Sequence, residues 1–89
     1  MLMQALWSTN CYVDHESGTS FYPLVEGDIV AVIGSRNIPQ TMFWRVITQH
    51  GIADIHLSNF KIICISDDEI DKRNYNILKK ILPSIAIVP

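Results

Sequence analysis

Apolar residues along this chain gather in short runs of strand length, separated by clusters of glycine, proline and small polar residues; only the last third carries a helical period. The run Ile29 to Ile33 is β-branched and follows a Glu26-Gly27-Asp28 turn, which predicts a strand. Val30 and Val32 point one way and Ile29, Ala31 and Ile33 the other, so both faces are expected to be covered. Gly34 to Gln40 holds glycine, serine, asparagine and proline together and reads as a connection. In the next run, strand alternation sets Met42, Trp44 and Val46 on one face and Phe43, Arg45 and Ile47 on the other. A turn at His50-Gly51 leads into a stretch where Ile55 and Leu57 alternate with Asp54, His56 and Ser58, the two runs forming a hairpin. Lys61 to Ser66 is one more short strand. Leu2 to Val13 lacks a 3.6-residue period and is taken as strand, whereas Asp14 to Ser20 is polar, contains a glycine and is expected to be a loop.

The helix is predicted over residues 67–82. Ser66 is placed as its N-cap with Glu69 as capping-box partner, Asp67, Asp68 and Asp71 load the first turns, and Lys79 and Lys80 suit the far end. Ile70, Ile77, Leu78, Ile81 and Leu82 make the docking stripe, with Asn74 as its polar gap, and Pro83 ends the helix. The expectation is therefore a mainly β single domain, 1–89, with a β portion at about 5–66, a C-terminal helix at 67–82 and an extended tail at 83–89 able to add an edge strand.

Three stretches, "LVEGDIVAV", "FWRVITQHG" and "IHLSNFKII", resemble the small SH3-like and Tudor-like β-barrels: the turn that launches the first long strand, the strand after it, and the strand, short helical turn and closing strand. The resemblance covers residues 21–65 and implies a module that binds peptides, modified side chains or nucleic acid rather than catalysing. A second resemblance competes with it. "VAVIGSRNIP" is similar to the first strand and nucleotide-facing turn of Rossmann-like proteins related to the DNA-processing protein DprA, which implies an α/β fold, a helix over residues 39–50 starting at Pro39, and nucleotide at the Gly34-Ser35-Arg36 turn. Those proteins need a second glycine-rich segment downstream, and only Gly51 follows Gly34 here. A chain of 89 residues also has little to spare for covering both faces of a parallel sheet, so the barrel is preferred.

Composition narrows the function. Hydrophobic residues make up 48% and charged ones 18%, more apolar surface than one small core absorbs, which points to self-association as a homodimer or to a protein partner. A net charge of −2 offers no basic field for phosphate, so nucleic acid is not the expected partner. The first residues have no basic region ahead of a long apolar run and no stretch reaches the length of a membrane span; a cytoplasmic location without membrane contact is expected. Cys11 and Cys64 lack metal or redox spacing and are read as small hydrophobes in a reduced chain, Cys64 in the core.

Chemistry-bearing clusters are sparse. Asp14-His15-Glu16 has no nucleophile tied to it and is read as a solvated loop. Asp54, His56 and His50 resemble a zinc set but fit the polar face of a hairpin equally well, so no metal, cofactor or catalytic residue is assigned. The expectation is a non-enzymatic, regulatory or protein-binding module. Its contact residues are taken to be Trp44, Arg45, Arg36, Phe21 and Tyr22, since aromatic and arginine side chains dominate binding hot spots. The alternatives are a nucleic-acid-binding barrel using Arg36, Arg45 and Lys61, and a nucleotide-binding fragment using the Gly34-Ser35-Arg36 turn.

Overall fold

A computed structural model describes residues 1–35 and 42–81, without the side chains of Ser35 and Ile81. Seven strands, β1 (Leu2–Ala5), β2 (Thr9–His15), β3 (Gly18–Leu24), β4 (Ile29–Ser35), β5 (Phe43–Thr48), β6 (Gly51–His56) and β7 (Phe60–Cys64), precede one helix, α1 (Glu69–Ile81). They form one antiparallel sheet in the order β3-β2-β6-β5-β4-β1-β7. The mainly β class with one C-terminal helix is thus observed. The sheet is open: among the described residues, β3 and β7 each pair on one side only. Arg36, the tail 83–89 and the start of the 39–50 segment lie outside the described residues. The helix that a Rossmann-like chain needs over 39–50 is replaced by strand from Phe43 to Thr48, because alternation there is strict, exposed at Phe43, Arg45 and Ile47 and buried at Trp44, Val46 and Thr48.

Local chemistry accounts for the connections. The turn before β4 is closed by Asp28, whose carboxylate accepts the Val25 N–H at 2.9 Å, and Gly27 supplies a φ of 91°. Between β5 and β6, Thr48 Oγ1 accepts the His50 N–H at 2.9 Å and donates to the Gly51 carbonyl at 3.0 Å, with Gly51 at φ 97°. A single 3₁₀ turn, Leu57–Asn59, links β6 to β7, and His56 Nδ1 caps it by accepting the Ser58 N–H.

The segment Asp14 to Ser20, expected as a loop, is instead the tip of a long β2–β3 hairpin, paired as far as His15 with Gly18. Polar side chains are tolerated there because the hairpin runs out to the sheet edge. Pro23 suits that edge strand, having no N–H to leave unpaired.

One face of the sheet carries the core: Met3, Ala5, Cys11, Leu24, Val30, Trp44, Val46, Ala53, Ile55, Leu57, Phe60 and Ile62, all at most 3% exposed, with Leu78 arriving from α1. The other face of β4 is not covered as expected; Ile29 is 54% and Ile33 42% exposed. Cys64, expected in the core, is exposed at the end of β7, while Cys11 is buried.

The helix begins at Glu69, two residues later than the predicted start at 67. Asp68 accepts the Asp71 N–H at 2.8 Å and is the N-cap; Ser66 stands before it, donating its hydroxyl to both Asp68 and Asp71. The docking stripe also differs. Among the described side chains of α1, Asp71, Asn74 and Leu78 are buried, one stripe at helical spacing, and Ile70 is 65% exposed. Asp71 accepts from the Ser66 N–H at 2.9 Å and pairs with the Met1 amino group at 2.6 Å; these donors hold its carboxyl down at about 2.

Candidate functional site

Pairing register turns the outer face of the sheet, opposite the core, into parallel rows that run across the strands. The row Arg45–Asp54–Tyr12–Phe21 crosses β5, β6, β2 and β3 by direct Cα partners, and the pair Phe43–His56 lies beside it. Parity explains the assembly. Once Trp44 and Val46 face inward, Phe43 and Arg45 face outward, and each partner strand inherits the same face.

Side chains from different strands meet there. The Tyr12 ring stands edge-on to Phe21 at 5.2 Å and to Phe43 at 5.7 Å, and Phe43 is edge-on to His56 at 5.1 Å. Edge-to-face contacts lock these rings to one another while leaving surface open: Phe21 is 64% and Phe43 37% exposed. His56 is tied by the 2.6 Å contact in which its Nδ1 accepts the Ser58 hydroxyl. Next to the rings, Arg45 Nε lies 3.4 Å from Asp54 Oδ1, the arginine half open to solvent and the aspartate buried. A shallow depression of ≈ 220 Å³ is lined by Tyr12, Asp14, Arg45, Ile52 and Asp54 among others. That is below the size of typical small-molecule pockets, roughly 300–1,000 Å³, and its chemistry is mixed.

The predicted contact residues are dispersed. Trp44 is fully buried in the core, and its indole N–H has no hydrogen-bond partner. Arg45 and Phe21 do lie in the outer rows. Tyr22 faces away from them, stacked on His50 at 5.2 Å on the far side of the hairpin, where His50 Nε2 lies 3.0 Å from the Pro23 carbonyl. Arg36 lies outside the described residues. Phe43, Asp54 and His56 share the outer face of the β5–β6 hairpin, but Tyr12 was missed, because only the β2–β6 pairing at Tyr12 and Asp54 joins it to them. The signal available was parity, which set Phe43 and Arg45 on the face that Asp54 and His56 share across the hairpin.

Burial pushes the Cys11 thiol up from its ordinary range. Among the described residues no three His, Cys, Asp or Glu side chains are placed to hold a metal ion, and no helix is long and apolar enough to cross a membrane. No protein-family model, curated protein or solved structure matches the chain.

Proposed function

We propose that this protein is a non-enzymatic interaction module of SH3-like type, which binds an extended segment of a protein partner across the outer aromatic rows. The observation that carries this reading is the Tyr12–Phe21–Phe43 cluster, three rings fixed edge to face yet open to solvent, with the Arg45–Asp54 pair beside it. Rigid aromatic surface binds at low entropic cost, since the rings lose little freedom when covered. The order of strands supports the barrel-like reading, with β1 between β4 and β7 and a 3₁₀ turn ahead of the last strand. Nucleic acid gains no specific support: Arg45 is engaged by Asp54, and Lys61 lies on β7, across the sheet from the rings.

Selection of a displayed random-peptide library on the folded protein tests this. Enrichment of a shared sequence pattern that is lost with Phe21→Ala and with Phe43→Ala is the expected result. Absence of any enriched pattern, or the same enrichment on both variants, overturns it.

A further inference from the structure

Few apolar contacts hold the helix to the sheet. Among the described side chains, Leu78 is the one fully buried apolar residue that α1 supplies; the rest of the core, from Met3 to Ile62, belongs to the strands and the 3₁₀ turn. Tyr75 and Ile77 lean on that core but are only partly buried, and the Lys79 ammonium lies 4.7 Å from the centre of the Tyr75 ring. The other two buried side chains of α1, Asp71 and Asn74, are polar. Docking costs Asn74, whose Nδ2 is buried without a hydrogen-bond partner. It favours Asp71, which meets the Met1 amino group at 2.6 Å. A helix of 13 residues that includes Asn74 and Asn76 is marginal alone in water, so once it leaves the sheet it also loses its helical form.

We infer that α1 is a lid that opens as one unit while the sheet stays folded, hinged at residues 65–68, latched by Met1 and Asp71 and sealed by Leu78. Each part rests on a separate observation. The link 65–68 belongs to no strand or helix, and the bonds from Ser66 to Asp68 and Asp71 and from the Asp71 N–H to Asp68 are all local, so they do not tie the helix to the sheet. The Met1–Asp71 pair is different: it joins residues 70 positions apart and breaks when the helix leaves. The sheet keeps its own core on both sides of the event, because every buried apolar residue from Met3 to Ile62 lies outside α1. Opening therefore bares the apolar surface beneath Leu78 without breaking a strand pair. This device concerns the inner face and stands apart from the aromatic rows on the outer one.

Native-state hydrogen exchange of the full chain at neutral pH, through a series of sub-denaturing urea concentrations, tests the lid. The expected result is that the α1 amides exchange together, about a hundredfold or more faster than those of β5 and β6 after correction for intrinsic rates, and with a weaker dependence on urea. Asp71→Asn takes the charge out of the latch and should speed α1 exchange about tenfold. Should that variant fail to fold, Asn74→Leu reads the same step in the opposite direction, slowing α1 exchange about tenfold. Ile55→Val weakens the core of the sheet and should speed the β5 and β6 amides about two- to tenfold while leaving those of α1 unaltered, since Ile55 keeps its place in the sheet when the lid opens. Equal rates and equal urea dependence in helix and strands overturn the inference. So does an Ile55→Val variant in which helix and strands accelerate together, or α1 exchange that neither latch nor Asn74 variant changes.

Discussion

The two faces of the β5–β6 hairpin differ far less in composition than in environment. Inward, Trp44, Val46, Ala53 and Ile55 are at most 3% exposed; outward, Phe43, Ile47 and Ile52 are 37–59% exposed although equally apolar. Charge separates them. Arg45 and Asp54 both fall on the outer face, and a strand face holding an ion pair cannot be sealed under a helix without a large desolvation cost. Hydrophobicity alone therefore does not decide which face becomes core. Here the Arg45–Asp54 pair does, and the apolar residues on its side are left open to solvent.

The sharpest way to break this contrast is to cut into the inner face. Trp44→Ala removes the largest fully buried side chain and should cost about 3–5 kcal/mol, a large share of the stability of an ordinary domain; a melt that shifts only slightly would deny Trp44 its central place. A smaller change of opposite sign is expected under the helix. Asn74 is buried with its Nδ2 unpaired, so Asn74→Leu should raise stability by about 1–3 kcal/mol in urea unfolding. Destabilisation by that exchange would mean the amide has a partner in solution.

Much of the inner face was legible in the chain because strand parity is local. The β4 run, the hairpin turn at His50-Gly51 and the outward setting of Arg45 all follow from residues within one or two turns of each other. Parity cannot say which face is inner when both are apolar. Trp44 was therefore taken for a contact residue, although it is core. The aromatic rows depend on β2 meeting β6 at Tyr12 and Asp54, a pairing set by topology, and no spacing in the sequence encodes it. The helix cap was misplaced for a simpler reason. Ser66 and Asp68 are both good N-caps, and the choice is made by Asp71, whose carboxylate is occupied by the Ser66 N–H and the Met1 amino group.

That Asp71 cluster fastens the helix over the inner face, and it titrates. Its folded carboxyl lies at about 2 against an ordinary 3.8, a depressed value, so its stabilising contribution is complete above about pH 4 and is lost as pH falls through about 2. Asp71→Asn should flatten the acid limb of a stability–pH curve measured by chemical denaturation, with little change in its shape near neutrality. An unaltered acid limb in the variant would place the acid sensitivity elsewhere.

The smallest effects on stability belong to the outer face, and their smallness is the strictest test of the contrast. Phe21 and Ile47 are both more than half exposed, so Phe21→Ala and Ile47→Thr remove contacts with solvent more than with protein and should each change stability by about 0.5 kcal/mol or less. Phe21 also loses its edge contact with Tyr12, which places it at the upper end of that range. Thermal melts of the two variants beside Trp44→Ala give the comparison directly. If the outer exchanges lowered the midpoint as far as the inner one, those residues would be covered in the folded chain and the face would have no free surface to offer. If they leave the midpoint in place while Phe21→Ala abolishes peptide selection, the outer apolar residues serve contact rather than folding.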